Sequence, residues 1–474
     1  MRFIKDTLVS AAFLGVLVTN AFPADGVAQS ADPVPSAGAP DPAAAAQATA
    51  TEEKTAPEPP PPTDLGFRFH GYVRSGYGVD QNGKGQQPFQ APLAGAKYRL
   101  GNEAETYLET MFAYGATMGA DDSGEAPAYF DTQVRIAYVT PTSQTSSFST
   151  TFSLREAYAR ARGVWASKPE ATFWAGERFY DRQDIHIIDF YYRDPSGFGG
   201  GVEDVALGAH ARLAAAWIGG SQDELDSNGQ VRASSFRFNK NTFDVRFYAL
   251  PVGRLRLGLG LDLSKVNAGE VSTSGAPIVV EDSLGASATG TVEWPFRGGR
   301  YKAALQYGNG AAFDFRSILT TPAGRTFSPG EHVRPDDLWQ FRVVNDLLVE
   351  QRGRWALQAL VVYQELENGA ASNSRVRWLS VGARPVRRLG RFASIAVEAG
   401  WDHSKQGDLP DGSLFKVTVA PQITPALKFL SRPSLRAFVT WAHWSDTFRG
   451  QIAPASDPDA VRGTAVGVQL ESWW

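Results

Sequence analysis

The sequence contains no cysteine among its 474 residues. This absence excludes disulfide scaffolds, thiol catalysis and every metal or iron–sulfur site that uses cysteine ligands. A basic excess is also missing, because 46 Lys and Arg stand against 50 Asp and Glu and leave a net charge of −4. Composition therefore gives no support for a nucleic-acid partner. After residue 28 no apolar run reaches about 18 residues, so we expect no transmembrane helix in the mature chain.

The first 28 residues are typical of a secretory signal peptide. Arg2 and Lys5 precede an apolar run from Leu8 to Val18, which is too short to span a bilayer as a helix. Residues 26–28 and Ala24 offer two alternative cleavage sites with small side chains. The sequence therefore predicts export from the cytoplasm.

Residues 29–65 form a Pro- and Ala-rich segment that holds nine of the 29 prolines. The segment has too few apolar side chains to build a core, and its prolines favour a polyproline II conformation. We interpret it as a semi-rigid periplasmic linker that precedes the main domain, residues 66–474.

From Phe67 onward the dominant hydrophobic period is two, which is typical of strands with one apolar face. One stretch places five leucines on one face, namely Leu255, Leu257, Leu259, Leu261 and Leu263. Polar or small residues alternate with them, namely Arg256, Gly258, Gly260, Asp262 and Ser264. Such segments run for about nine to eleven residues, the length that a tilted strand needs to cross a membrane.

Strands can span the apolar part of a bilayer only in a closed barrel, because lipid offers no partner to unpaired backbone groups. At about 22 residues per strand and connection, the main domain predicts an all-β transmembrane antiparallel β-barrel of about 18 strands. A barrel of that width encloses a channel. The alternative is a soluble sandwich or propeller, which would bury its apolar face inside.

Aromatic and charged side chains share the predicted inner face of the first and last strands. Alternation places Tyr72 and Arg74 inside on the first strand, and Trp473 inside on the last. Because these two strands meet when a barrel closes, we expect Tyr72 and Trp473 to be neighbours. A pyranose offers an apolar face that stacks on such rings and hydroxyls that bind the adjacent charges. The pattern therefore favours sugar binding inside the channel.

Several segments resemble the maltoporin family, the trimeric maltodextrin-specific porins of bacterial outer membranes. The matching segments are Phe69–Gly76 (FHGYVRSG), Lys97–Glu103 (KYRLGNE), Phe173–Tyr180 (FWAGERFY), Asp184–Tyr192 (DIHIIDFYY), Ser431–Pro433 (SRP) and the terminal Trp473-Trp474. The resemblance implies an 18-stranded, homotrimeric barrel in outer-membrane lipid, with an aromatic "greasy slide", a polar track and an inward-folded third loop that constricts the channel.

By motif position, the resemblance also implies roles for individual residues. The sugar-stacking slide residues are Tyr72, Tyr107, Phe296 and Trp473, with Phe148 as an approximate stand-in for a tryptophan that a neighbouring subunit lends. The polar-track residues are Arg74, Arg99, Glu109, Arg155, Arg182, Asp184 and Asp189. The constriction tyrosine is Tyr191. One departure concerns the slide tryptophan before the Ser-Arg-Pro motif, which is Leu430 here, with Phe429 one place earlier.

Two alternative chemistries have weaker support in the residues. Asp184 and Asp189 resemble a glycosidase pair, but we expect a wet lumen with nearby arginines to keep both ionised, so neither is suited to act as a general acid. His186 lies between them without the ligand spacing of a metal site, and we expect a hydrogen-bonded loop histidine instead. We therefore predict no enzyme activity, no metal site and no cofactor.

The sequence as a whole predicts a channel of the bacterial outer membrane that mediates facilitated diffusion of maltose and maltodextrins along an aromatic slide. Two alternatives stay open on the sequence alone. The first is a porin for sucrose or other oligosaccharides. The second is a secreted, soluble, β-rich carbohydrate-binding protein.

Overall fold

A computed structural model describes residues 65–118, 128–140, 151–222, 238–271, 276–351, 353–426, 428–453 and 457–474. Within these residues eighteen strands form one large antiparallel sheet. Numbered in chain order with the short strands included, the large sheet contains β1 (Gly66–Asp80), β2 (Thr106–Met118), β3 (Ala128–Thr140), β4 (Thr151–Arg162), β5 (Thr172–Arg178), β8 (Gly197–Leu207), β9 (Ala211–Gln222), β10 (Phe238–Val252), β11 (Leu255–Val266), β14 (Ser283–Phe296), β15 (Gly299–Asn309), β17 (Trp339–Gln351), β18 (Trp355–Glu367), β19 (Arg375–Arg388), β20 (Ala393–Gln406), β21 (Gly412–Ile423), β22 (Ser434–Trp444) and β23 (Arg462–Trp473).

The remaining elements are short and lie in the connections. They are the strands β6 (Gln183–Ile185), β7 (Phe190–Arg193), β12 (Gly269–Val271), β13 (Ile278–Val280) and β16 (His332–Val333), and the 3-10 helices His186–Ile188, Gly310–Ala312, Pro335–Asp337 and Asp446–Phe448. No helix within the described ranges is both long and apolar enough to cross a membrane.

The large sheet closes on itself, because β1 pairs with both β2 and β23. In the closing pair Tyr72 lies opposite Trp473 and Arg74 lies opposite Glu471. This confirms the predicted 18-stranded antiparallel barrel and the predicted neighbours on its first and last strands. A closed barrel has no free strand edge, so every strand finds hydrogen-bonding partners on both sides.

The outer face of the barrel is apolar and the inner face is polar. On β11, Leu259, Leu261 and Leu263 are exposed on the outside, whereas Asp262 and Ser264 are buried inside. A soluble sandwich or propeller would bury the leucines and expose the polar residues, so that alternative is wrong. All but one of the barrel strands have 11 to 15 residues, β5 with 7 being the exception. Most of the barrel strands are thus longer than the predicted nine to eleven residues.

The connections at the two ends of the barrel differ in length. At one end, residues 253–254 and 297–298 make turns of two residues. At the other end, residues 81–105 and 310–338 make long loops. Outer-membrane barrels place short turns in the periplasm and long loops outside the cell. The first residue of β1 and the last residue of β23 therefore lie at the periplasmic end.

Trp474 joins the two strands that close the barrel, β1 and β23. Trp474 exchanges backbone hydrogen bonds with Gly71, at N–O distances of 3.1 and 3.2 Å. The indole of Trp474 covers Gly71, and a Cβ added there would overlap its Cζ2 atom. The indole also lies 5.8 Å from the ring of Phe69 between centroids. Gly71 is therefore required by the close approach of the terminal tryptophan.

We expect Gly71→Val to lower the yield of folded barrel strongly, because the new side chain excludes Trp474 from the closing pair. The measurement is heat-modifiable migration of the detergent-extracted protein on gels. Gly85→Val is the matched control, since a Cβ at Gly85 meets open space. Equal yields of folded barrel from the two variants would contradict this account of closure.

Candidate functional site

The loop between β5 and β8 (residues 179–196, here the constriction loop) crosses the barrel interior. Its residues Ile187 and Ile188 are buried in one apolar cluster with Leu360 and Val362, which belong to the inner face of β18 on the far wall. Burying four aliphatic side chains removes apolar surface from water and fixes the loop against that wall. The predicted third-loop constriction therefore has a packed apolar base.

Ion pairs fix the other end of the constriction loop. The Arg193 guanidinium, only 2% exposed, donates hydrogen bonds to Asp262 on β11 at 2.7 Å and to Asp181 at 2.8 Å. It also pairs with Asp244 on β10. Arg246, also on β10, pairs with Asp181 at 2.7 Å. Because one planar guanidinium satisfies carboxylates from two wall strands, the loop is clamped to the β10–β11 wall.

Two further loops fold inward, which the sequence did not predict. In the loop 81–105, the Tyr98 hydroxyl lies 2.9 Å from the Ser380 hydroxyl, and the Tyr98 ring fills the space above Gly382 and Gly400. In the loop 310–338, the Phe315 carbonyl accepts a hydrogen bond of 3.1 Å from the Asp194 backbone of the constriction loop. These loops narrow the lumen and support the constriction loop from two sides.

Three of the predicted slide residues form a continuous aromatic row. The Tyr107 and Tyr72 ring centroids lie 6.1 Å apart, and those of Tyr72 and Trp473 lie 6.4 Å apart. Tyr107 lies at the long-loop end of β2, whereas Trp473 is the last residue of β23 at the periplasmic end. The row therefore crosses three neighbouring strands, from the long-loop end of β2 through β1 to the periplasmic end of β23.

The structure does not bring Phe296 into this row. Phe296 has the same strand parity as Trp294, which is exposed on the outer face, and the two ring centroids lie 5.5 Å apart. The two-residue turn 297–298 follows directly and pairs Phe296 with Gly299. Alternation along β14 thus corrects the predicted slide role of Phe296. Phe148, the other predicted slide residue, lies outside the described residues.

Predicted polar-track residues lie directly beside the row. The Arg99 guanidinium donates a hydrogen bond of 3.0 Å to the Tyr72 hydroxyl, which in turn donates to Glu471 at 3.2 Å. Asp189 of the constriction loop lies 4.0 Å from both Arg74 and Arg99. Both arginines are almost completely buried. Charged groups therefore line the edge of the aromatic row on the side of the constriction loop.

A second polar group surrounds Tyr107, the long-loop end of the row. The Tyr107 hydroxyl donates a hydrogen bond of 2.5 Å to Glu109, which also pairs with Arg135 at 2.9 Å. Arg135 was not predicted, although it lies two residues after the inward-facing Gln133 on β3 and therefore on the same face of the strand. Applying the period of two to β3 would have placed it in the lumen.

At the constriction, the Arg182 guanidinium lies between two aromatic rings. It is 3.9 Å from the Tyr191 ring centroid and 4.0 Å from that of Phe179. The guanidinium of Arg155 lies 5.3 Å from the Phe179 ring on the barrel wall. Cation–π contacts of this kind fix a guanidinium without consuming its donors. Phe179 was not predicted, and its only sequence signal is its place in the FWAGERFY motif.

The two loop carboxylates are less well solvated than the sequence suggested. Burial raises the pKa of Asp189 to about 6, against the opposing effect of Arg99. Burial also raises the pKa of Asp184 above its ordinary value, with Arg300 opposing it. The packing of the inward loops thus raises both pKa values, although a pKa of about 6 still leaves Asp189 ionised at neutral pH.

The lumen also contains a cavity of about 260 Å³ on the β10–β15 side of the constriction loop. Its lining includes Tyr248, Thr291, Glu293 and Lys302. No group of three or more His, Asp or Glu side chains with metal-binding geometry occurs in the part of the chain that the structure describes. The lumen offers ring faces with guanidinium and carboxylate groups beside them, which is the complement of a sugar's apolar face and hydroxyl edge.

Two solved channel structures are similar to this chain at low sequence identity. The outer-membrane channel DcaP of Acinetobacter baumannii is 10% identical, with a TM-score of 0.48 over 86% of this chain and 97% of that one. An anion-selective porin from Comamonas acidovorans is 11% identical, with a TM-score of 0.41 over 86% of this chain and 99% of that one.

A family comparison is more specific than these structural likenesses. The model of the LamB porin family matches residues 67–474, which span the whole barrel from β1 to the last residue. The match includes the constriction loop and the three rings of the aromatic row. The chain therefore belongs to the LamB porin family and is a sugar-selective channel of the bacterial outer membrane.

Proposed function

We propose that this channel admits maltose and maltodextrins by facilitated diffusion, as a homotrimer. The observation that carries the proposal is the row Tyr107–Tyr72–Trp473, whose rings are spaced by 6.1 and 6.4 Å along the lumen. A linear glucan presents a repeated series of pyranose faces and suits a repeated series of rings. Overlapping weak sites let such a chain move forward without being held tightly, as conduction requires.

The polar groups beside the row would bind the sugar hydroxyls, whereas the rings bind its apolar faces. Arg74, Arg99 and Asp189 meet at the constriction loop, where charge-assisted hydrogen bonds to sugar hydroxyls are stronger than neutral ones. Tyr191 would select by size, because the Arg182 guanidinium fixes its ring from one side.

Liposome swelling tests the choice of sugar. Vesicles that contain the purified protein are diluted into isosmotic maltotriose, sucrose or raffinose, and the rate of swelling is followed by light scattering. We expect maltotriose to enter faster than raffinose, a trisaccharide of the same mass, because only the linear glucan fits the aromatic row. Faster entry of sucrose than of maltose would favour the sucrose porin instead.

Ion selectivity is expected to depend on pH through Asp189. Its pKa is raised to about 6, so the side chain is a carboxylate at pH 7.5 and mostly neutral at pH 5. Protonation removes a negative charge that faces Arg74 and Arg99, with Glu103 and Asp184 as its nearest acidic neighbours. The lumen then becomes more positive, so anion preference rises as the pH falls through about 6. Reversal potentials in a potassium chloride gradient measure this change.

Asp189→Asn is the control for that titration. Asparagine tolerates the left-handed backbone of Asp189, whose φ is 52°. The variant should show the higher anion preference already at pH 7.5 and lose most of the pH-dependent step. An undiminished step in Asp189→Asn would contradict the assignment to this carboxylate.

A further inference from the structure

Five consecutive periplasmic turns of the barrel carry exposed basic side chains. They join β10 to β11, β14 to β15, β17 to β18, β19 to β20 and β21 to β22. The residues of these turns, 253–254, 297–298, 352–354, 389–392 and 424–433, include no Asp or Glu. The exposed cations in or directly beside them, here the basic arc, are Arg254, Arg297, Arg354, Arg387, Arg388, Arg391 and Lys428.

The barrel itself does not neutralise the basic arc. Within the described ranges none of its seven cations forms an ion pair with a carboxylate. The Arg388 guanidinium donates to the backbone carbonyl of Gly390 at 2.8 Å, and that of Arg391 lies 4.9 Å from the Phe392 ring. Adjacent turns are two strands, about 10 Å, apart, which is close to the Debye length of about 8 Å in physiological salt. Their fields therefore overlap and attract anionic partners.

The segment that precedes β1 has the opposite charge. Residues 29–65 hold six carboxylates and one lysine, a net charge of −5. Residues 29–64 lie outside the described part of the chain, and the segment joins β1 at Gly66, at the periplasmic end of the barrel. The six carboxylates are Asp32, Asp41, Glu52, Glu53, Glu58 and Asp64.

This acidic segment is long enough to reach the basic arc. Three strands, β21, β22 and β23, lie between β20 and β1, so the β19–β20 turn is about 20 Å from the start of β1 along the rim. As polyproline II, residues 29–65 would span about 110 Å, and as a flexible chain about 35 Å. Because the segment is tethered, its effective concentration at the rim is in the millimolar range, so a weak attraction is enough for binding.

We propose that residues 29–65 dock along the basic arc of their own barrel and cover this side of the periplasmic rim. Six carboxylates then face seven cations, and the two charges that the chain separates along its sequence meet at one end of the barrel. The inference does not depend on which sugar the channel carries.

Cross-linking between introduced cysteines tests this contact, because the chain has no cysteine of its own. Ala56→Cys places one thiol between Glu53 and Glu58, and Leu389→Cys, at a side chain 65% exposed, places the other in the β19–β20 turn. The purified full-length protein is treated with a short bis-maleimide at about 10 mM and about 1 M salt, where the Debye lengths are about 30 and 3 Å. We expect the cross-linked monomer to form several-fold faster at the lower salt concentration.

Ser167→Cys, combined with Ala56→Cys, is the matched control. Ser167 is exposed in the β4–β5 turn, where Lys168 donates to the Ala206 carbonyl at 2.6 Å and Glu170 balances its charge. Only β2 and β3 lie between β1 and β4, so a segment without electrostatic attraction reaches Ser167 at least as easily as Leu389. At low salt the Leu389→Cys pair should react several-fold faster than this control, and at high salt the two rates should converge.

The combined substitutions Arg354→Gln, Arg387→Gln and Arg391→Gln should abolish the preference for Leu389→Cys, while heat-modifiable migration shows intact barrels. Equal low-salt rates for the two cysteine pairs would overturn the inference, as would cross-links that form only between copies of the chain. A preference that phosphatidylcholine vesicles retain and phosphatidylglycerol vesicles abolish would also overturn it, because the arc would then bind lipid headgroups.

Discussion

Single-channel conductance is expected to rise several-fold in Arg193→Ala, because this side chain clamps the constriction loop to the barrel wall. Removing it leaves Asp244 and Asp262 buried on adjacent strands without their shared partner. Breaking a buried ion pair by deleting one member costs about 3–5 kcal/mol. The cost is relieved when water enters and the loop leaves the β10–β11 wall, which widens the lumen. Planar bilayer recordings measure the change, together with greater current noise from the mobile loop.

Arg377→Ala is the control for that experiment. Arg377 is on the outer face of β19, with a side chain 49% exposed and 3.2 Å from Glu365, so the variant removes the same charge far from the loop. We expect little change in its conductance. Heat-modifiable migration confirms that both variants form barrels. A folded Arg193→Ala channel with wild-type conductance would show that the apolar base at Ile187 and Ile188 holds the loop without the clamp.

Maltohexaose affinity is expected to fall roughly 10- to 100-fold in Trp473→Ala, since this variant removes the largest ring of the aromatic row. Trp473 stacks near Tyr72 at an interplanar angle of 21°. Its loss shortens the row to Tyr107 and Tyr72. Long glucans occupy more rings of the row than maltose does, so they lose more affinity. Titrated block of the conductance gives the affinities.

Trp441→Ala is the matched substitution on the lipid side. Trp441 is 42% exposed on the outer face of β22 and contacts Phe415 rather than the row. We expect its sugar affinities to match wild type once the barrel has assembled. Equal losses in the two variants would mean that the effect of Trp473 arises from barrel stability and not from sugar contact.

The alternation of apolar and polar residues predicted the barrel well, because successive residues of a strand point to opposite faces, one toward lipid and one toward the lumen. The exposed Leu261 and the buried Asp262 illustrate this, as does the pairing of Tyr72 with Trp473. The same rule, applied to β14, would have placed Phe296 beside the outward Trp294. Its assignment to the slide came from family resemblance instead. Next to a two-residue turn, a matching position in a motif does not establish which face of the strand a side chain occupies.

The inward loops were less predictable, because they are fixed by contacts between distant parts of the chain. Tyr98 contacts Ser380 across 282 positions, and the space for its ring depends on Gly382 and Gly400 of two wall strands. No local pattern in residues 81–105 encodes that fit. Likewise, the turn that ends at Pro433 between β21 and β22 is fixed by Glu350 of β17 and by the Arg432–Glu471 ion pair, and the local sequence does not show either partner.

Single-channel conductance in a planar bilayer, titrated with glucose, sucrose and maltose through maltohexaose, tests the central claim most directly. An aromatic row that acts as a series of overlapping sites predicts block that strengthens with chain length, by about tenfold or more between maltose and maltohexaose. Sucrose and glucose should block weakly. Block by sucrose alone, or no block by any of these sugars, would contradict the assignment of the row to maltodextrins.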